Sequence, residues 1–170
     1  MDLASLTFRT ARPDEAPAVL TVLDDAAARL RARGIAQWPA AFRPEWIEPA
    51  LGSGRVWLVE AGDEPVGTFA LNWSDVLWAD DGRAGYVHRF AVRSGWHGLG
   101  TRMLAHVDEQ VLAAGRDRVR LDTGADNAKL GAYYLARGFR RVGEVPLPSE
   151  WRLWSRRDVD LLLALFEKEL

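Results

Sequence analysis

Apolar and polar residues follow two different spacings along this chain, and the spacings predict strands and helices in alternation. In the first half, short apolar runs indicate strands. Apolar residues at helical spacing behind Pro13, with Asp14 and Glu15 in the first turn, indicate a helix that ends at Gly34. The turn Gly62-Asp63-Glu64-Pro65 predicts a hairpin. The elements predicted for this half are strands at Leu3–Arg9, Val56–Glu60 and Val66–Asn72, and helices at Pro13–Gly34 and Pro44–Leu51.

The second half begins with a strand that runs into a glycine-containing loop and then into a helix. From Leu99 the apolar residues recur with a period of 3.6 residues, at Leu99, Met103, Leu104, Val107, Val111 and Leu112. Further elements are predicted as strands at Tyr86–Val92, Arg118–Asp122 and Arg140–Val145 and a helix at Asn127–Arg137. The apolar run Asp160–Lys168 is short, and its spacing fits either a helix or a buried strand.

Composition limits the classes of protein that this chain can be. Its 170 residues, 48% hydrophobic and 27% charged, are typical of one globular domain. A net charge of −2 argues against a general nucleic-acid binder. The absence of cysteine excludes disulfides and cysteine nucleophiles, and no residue cluster at metal-ligand spacing indicates a metal. No long apolar run or signal-like start is seen, so we expect a cytoplasmic protein without a membrane partner.

Gly98 and Gly100 stand where the helix from Leu99 begins. Backbone N–H groups at a helix start lack helical partners, and the helix dipole favours negative charge there, so this loop predicts a phosphate-binding site. The spacing Gly95-x-x-Gly98-x-Gly100 is not the dinucleotide fingerprint, which would require glycine at Met103. No Gly-Lys-Ser/Thr follows, so it is not a P-loop either. A phosphate-bearing cofactor is indicated, without its identity.

Several motifs at fixed spacing together resemble the GNAT superfamily of acyl-CoA-dependent N-acyltransferases. They are Ala91-Val92, Gly98-Leu99-Gly100, Asn127, Tyr134 and Gly138-Phe139, within a match over about residues 84–145. The resemblance implies a single domain, residues 1–170, with an α/β (mixed α+β) fold. Its mostly antiparallel sheet of about seven strands would have helices on both faces, in the order β-α-α-β-β-β-α-β-α-β-β. The last strand would then lie at the C-terminus.

The resemblance also implies where acetyl-CoA binds. In the family, the fourth and fifth strands separate and the cofactor enters between them, its pantetheine arm pairing with the fourth strand. The residues implied as cofactor contacts are Phe90, Ala91, Val92, Trp96, His97, Gly98, Leu99, Gly100, Thr101, Asn127 and Tyr134. This chain departs from the family at Gly95, which replaces a Gln or Arg. Arg93, His97 and Arg102 are candidates to supply the missing polar or cationic group.

Three residues are candidates for the chemistry of acyl transfer. By resemblance, Tyr134 is the acid that protonates the leaving thiolate, and His88 is the base; Asp122 is the second candidate base. Strand alternation places Tyr86, His88, Phe90 and Val92 on one face. Structural roles stay open for each: packing for Tyr134, a sheet hydrogen bond for His88, a loop contact for Asp122, and a helix cap for Asn127.

The acceptor site is implied between two loops, Gly34–Arg43 and Leu147–Arg157. Gln37, Trp38, Trp151 and Trp154 are its candidate residues, although tryptophans equally suit a core. The leading hypothesis is an N-acetyltransferase in which a small-molecule or peptide amine attacks acetyl-CoA directly. A non-catalytic acyl-CoA sensor of the same fold is the alternative, and an unrelated phosphate-binding domain fits the motifs less well. A homodimer is left open.

Overall fold

The computed structural model of the chain describes residues 5–35, 37–79, 81–148 and 162–170. Its strands are β1 Leu6–Thr10, β2 Val56–Ala61, β3 Glu64–Asn72, β4 Ala84–Val92, β5 Arg118–Gly124, β6 Arg140–Pro146 and β7 Leu162–Glu169. Its α-helices are α1 Ala16–Ala32, α2 Glu48–Gly52, α3 Leu99–Ala113 and α4 Ala128–Leu135, with 3-10 turns at Pro13–Glu15 and Pro44–Trp46. This order confirms the predicted one, and the ambiguous C-terminal run is a strand.

The strands form one seven-stranded sheet among the described residues, in the order β1-β2-β3-β4-β5-β7-β6. Every neighbouring pair is antiparallel except β4 and β5, which are parallel. The mixed, mostly antiparallel fold is therefore confirmed. The β2–β3 turn is tighter than predicted, because β3 already begins at Glu64 and Gly62, with φ of 61°, takes the left-handed position.

Helices cover both faces of the sheet. One face packs against α3 and α4, and the other packs against α1 and α2. The predicted apolar stripe of α3 is buried as far as Val111, whereas Leu112 is 54% exposed. At 100° per residue, Leu112 points about 140° away from Val107, which lies near the middle of the stripe, so Leu112 falls outside it. No helix in the described part of the chain is both long enough and apolar enough to cross a bilayer.

A β-bulge in β4 changes which side chains share a face. Ala70 pairs with His88 and Thr68 with Ala91, so β4 has one more residue than β3 in this interval. Arg89 has a φ of 49°, the one positive value among described non-glycine residues. The predicted common face of Tyr86, His88, Phe90 and Val92 is therefore wrong after His88.

The packing shows the same reversal. Ala91 is buried with Ala70 in the core under α1 and α2, whereas Phe90 and Val92 pack against the core under α3 and α4. Strict alternation from Val87 onward would have placed Ala91 under α3 and α4, and Phe90 and Val92 under α1 and α2. Parallel pairing of β4 with β5 ends just before the bulge, at Val87 and Leu121. The two strands separate beyond this pair.

Candidate active site

A cavity of about 1000 Å³ opens where β4 and β5 separate. The first residues beyond the last pair of the two strands, His88 and Asp122, both line it. The structure brings thirteen of the predicted site residues to its wall: Gln37, Trp38, His88, Phe90, Ala91, Val92, Trp96, His97, Gly98, Gly100, Thr101, Asp122 and Tyr134. Side chains predicted for cofactor, acceptor and proton transfer thus share one space.

The other predicted residues are placed differently. Leu99 is fully buried in the core, so only its backbone belongs to the loop. Asn127 does not line the cavity: its Oδ1 accepts the Leu130 N–H at 3.2 Å, which caps α4, and its Nδ2 donates to Gln37 Oε1 at 3.0 Å. The capping role is therefore the one the structure shows. Trp151 and Trp154 lie outside the described residues.

The loop before α3 is shaped to receive an anion. Gly95 and Gly98 have φ of 85° and 84°, a left-handed conformation that favours glycine. The backbone N–H groups of Gly98 and Gly100 donate to no acceptor in the part of the chain that the structure describes. A Cβ at Gly100 would lie 2.5 Å from the Tyr133 Oη, so any larger residue here requires the Tyr133 side chain to shift. These features fit a phosphate or diphosphate group.

The cationic group at this loop is Arg137, which the sequence analysis did not propose. Its guanidinium lies 3.4 Å from the Tyr133 ring centroid and donates through Nε and Nη2 to Thr101 Oγ1, at 3.1 and 3.0 Å. Arg137 lines the cavity, and Arg93 and Arg102 do not. Arg93 instead pairs with Glu64 at 2.7 Å. The signal available in the sequence was the position of Arg137, one helical turn after Tyr133.

Two neighbouring tyrosines of α4 reach the cavity with different surroundings. Tyr134 is 4% exposed, with its ring against Phe139 and Phe166 at centroid distances of 5.5 and 5.8 Å. Burial raises the pKa of Tyr134, so its hydroxyl stays protonated at neutral pH and can donate a proton or a hydrogen bond. Tyr133 instead faces Gly100 and Arg137.

His88 lies between two carboxylates. Its Nε2 is 2.7 Å from the Oδ2 of Asp75, in an approach that is not aligned as a hydrogen bond. On β5, burial raises the pKa of Asp122 to about 6, with His88 acting to lower it and Asp75 to raise it further. His88 and Asp122 were predicted from the sequence, whereas the contact with Asp75, which comes from the loop after β3, was not. This cluster can accept protons near neutral pH.

Aromatic side chains line the part of the cavity where the sequence predicts the acceptor. Trp38 and Phe42 meet edge to face at 5.4 Å, and Phe42 and Trp46 at 6.3 Å. Arg89, placed by the bulge, donates to the Trp46 carbonyl at 3.0 Å, and desolvation lowers its pKa. The described residues contain no group of three or more side chains that could hold a metal ion.

The sequence and the fold both match known acetyltransferases. Residues 21–139 match the Acetyltransferase (GNAT) family. An uncharacterized N-acetyltransferase, YesJ, of Bacillus subtilis is 30% identical over 142 residues, which are 76% of this chain and 79% of YesJ.

Solved structures with the same fold include an acetyltransferase of the GNAT family from Listeria monocytogenes. It has a TM-score of 0.73 and 22% identity, and the match covers 97% of this chain and 95% of that one. A putative acetyltransferase from Salmonella typhimurium, yncA, solved with acetyl-CoA, has a TM-score of 0.70 and 15% identity over 98% of this chain and 95% of that one. On the family match and the YesJ relationship together, this chain belongs to the GNAT family of acetyltransferases.

Proposed function

We propose that this protein transfers the acetyl group of acetyl-CoA to a primary amine, which attacks the thioester directly. The observation that carries the proposal is the shared cavity. It places an anion-binding loop, a histidine between carboxylates and a buried tyrosine around one space at the point where β4 and β5 separate. Direct transfer needs these three groups together, since cofactor, amine and leaving thiol must meet.

The glycine loop would hold the diphosphate of acetyl-CoA. The free N–H groups of Gly98 and Gly100 suit phosphate oxygens, and Arg137 adds a positive charge beside them. The cavity continues from this loop along Phe90, Ala91 and Val92 to His88. Acetyl-CoA supplies the thioester, whose C–S bond breaks as the amine nitrogen bonds to the acetyl carbon.

Protons are moved by His88 and Tyr134 in this proposal. A lysine-like amine has a pKa near 10.4 and arrives as an ammonium ion, so a base must remove a proton before attack. His88 takes that proton and passes it to solvent. Tyr134 gives its proton to the departing sulfur and recovers the second proton that the nitrogen loses. Asp122 is the second candidate base, because its raised pKa of about 6 still leaves it ionised at neutral pH.

The cavity favours catalysis over the alternative of a non-catalytic acyl-CoA sensor. Two features allow a sensor: Gly95, which removes a polar side chain from the loop, and the choice between two candidate bases. Arg137 supplies a cation at the same loop, and a sensor has no use for the His88 cluster. The acceptor end, with Trp38, Phe42 and Trp46, suits the apolar body of an amine, whether a small molecule or a peptide.

A panel of primary amines tests the proposal. The wild-type protein is incubated with acetyl-CoA and one amine at a time. The amines are tryptamine, spermidine, lysine methyl ester and a peptide with an N-terminal alanine. Thiol release and the mass of the acetylated product are measured. We expect both signals for at least one amine, in equal amounts. If acetyl-CoA binds but no amine in any class is acetylated, the protein is the sensor and the catalytic proposal fails.

Arg137→Ala is expected to weaken acetyl-CoA binding about tenfold, because a charge-assisted contact to phosphate is lost. Titration calorimetry with acetyl-CoA measures the change. Arg102→Ala is the matched control, since Arg102 is a nearby exposed arginine outside the cavity and its loss should leave the affinity unchanged. The reverse pattern, with Arg102 important and Arg137 not, would show that the cation has been assigned to the wrong residue.

A further inference from the structure

We propose that Asp75 is a positioning residue: it holds the His88 imidazole with its Nε2–H directed at the carboxylate, which leaves Nδ1 to take the proton of the acceptor amine. The inference rests on the proposed function, in which His88 is the base. It adds a residue from the β3–β4 loop that neither the motifs nor the sheet pattern indicated. It also fixes which nitrogen of the ring does the chemistry.

The two carboxylate oxygens of Asp75 have different partners. Oδ1 accepts the Leu77 N–H at 2.7 Å, which fixes the carboxylate to its own loop. Oδ2 is left for His88, 2.7 Å from Nε2, and the Asp75 side chain is only 4% exposed. Nε2 is buried with no aligned partner among the described residues, so a modest ring rotation would complete a hydrogen bond to Oδ2. A buried carboxylate at this distance strongly favours a proton on Nε2.

The loop that carries Asp75 is fastened to the sheet by a buried cation. Arg120 of β5 is 5% exposed and pairs with Glu167 of β7 at 2.8 Å. The same guanidinium pairs with Asp81 of the loop at 2.8 Å and lies 5.0 Å from the Trp78 ring centroid. The backbone N–H of Trp78 in turn donates to the Asp75 carbonyl at 3.3 Å. Asp75 is therefore connected through Trp78 and Arg120 to strands β5 and β7.

The charged groups around His88 come from three elements. The loop supplies Asp75, and β5 supplies Asp122. Opposite His88, β3 supplies Ala70, which carries no charge. From α1, Arg29 also lines the cavity, but it pairs with Asp25 at 3.1 Å and donates to the Val92 carbonyl. Asp75 is the carboxylate in direct contact with the ring, and Asp122 acts on the same ring from the neighbouring strand.

Asp75→Asn keeps the shape of the side chain but replaces the hydrogen-bond acceptor that faces His88 with a donor. The new amide oxygen can still accept the Leu77 N–H, which leaves the NH₂ group facing Nε2. Two N–H donors repel each other, so Nε2 must become the acceptor and the proton moves to Nδ1. The ring then has no lone pair for the amine, as when a catalytic histidine is held in its wrong tautomer.

Nitrogen-15 NMR of the histidine rings tests this directly and needs no acceptor. The chain has three histidines, and His88→Gln identifies the His88 signals. For the neutral ring we expect the Nε2–H tautomer in the wild type and the Nδ1–H tautomer in Asp75→Asn. Asp75→Glu should restore the wild-type pattern. Asp63→Asn, the same change in the exposed β2–β3 turn, should leave it unaltered.

Turnover supplies the second readout. Using the best amine of the panel, Asp75→Asn should lower kcat about tenfold with the KM for acetyl-CoA unchanged, and Asp75→Glu should recover part of the loss. A wild-type His88 in the Nδ1–H form, or one whose tautomer is the same in Asp75→Asn, overturns the positioning role. If no amine is acetylated while the tautomer switches as expected, the positioning is correct and the proposed function has failed.

Discussion

Replacing His88 with alanine should lower kcat/KM for amine acetylation by about 10² to 10³-fold, the usual range for the loss of a general base. Acetyl-CoA affinity should stay unchanged, because His88 lies at the strand separation and not at the glycine loop. Stopped assays with the best acceptor amine, over a range of pH, measure the effect. The activity that remains should rise with pH above about 6, because Asp122 can accept a proton only when it is ionised and its pKa increases once His88 no longer lowers it.

Two outcomes of this experiment would contradict the assignment. If His88→Ala keeps both its rate and its pH profile, His88 is a structural residue of the sheet. Asp122→Asn then becomes the decisive variant, since Asp122 is the other candidate proton acceptor at the cleft. If the alanine variant instead loses acetyl-CoA binding, the fall in rate reports a damaged cavity, and the claim about proton transfer is unsupported.

Gly100→Val should reduce acetyl-CoA affinity about 100-fold. Even the first added carbon would lie 2.5 Å from the Tyr133 Oη and 3.6 Å from the Phe90 ring. The branched side chain must therefore displace Tyr133 or occupy the space where the glycine loop would bind phosphate. Each consequence removes contacts to the cofactor that the glycine loop would provide. Calorimetry with acetyl-CoA gives the affinity, and thermal unfolding without ligand shows whether the fold is intact.

Gly143→Val is the matched control for that substitution. Gly143 lies in the edge strand β6, has no atom within 4 Å of an added Cβ, and has no left-handed backbone. Valine suits a strand, so affinity and stability should both stay close to wild type. If Gly100→Val binds acetyl-CoA as tightly as Gly143→Val does, the cofactor does not use the start of α3.

Most of the elements could be predicted from the sequence because their signals are local, whereas the C-terminal strand was implied only by the family resemblance. Helical spacing after Leu99 and glycine at Gly34 and Gly138 depend on nearby residues alone. The bulge at Arg89 has no such signal, since a positive φ at arginine is imposed by pairing with β3. One extra residue there reversed the faces of Phe90 and Val92, which simple alternation cannot anticipate.

For the candidate site too, local signals in the sequence were predictive and contacts between distant elements were not. The phosphate-binding site at the start of α3 was predicted because glycines and a helix start lie within a few residues of each other. Arg137 and the contact of Asp75 with His88 were missed because each residue reaches the cavity from another element, and these contacts exist only in the folded chain. At Asn127 the structure shows the helix cap of α4 and a hydrogen bond to Gln37, and its contact with the cofactor stays a prediction.

The most direct test of the central claim, that the cleft between β4 and β5 binds acetyl-CoA, is thermal unfolding of the wild-type protein with acetyl-CoA, CoA or ATP. A ligand at 100 times its Kd stabilises a fold by ~2.7 kcal/mol, which for a chain of this size raises Tm by roughly 5–10 °C. We expect that rise with acetyl-CoA and CoA and none with ATP. No rise at millimolar acetyl-CoA, or an equal rise with ATP, would contradict the account.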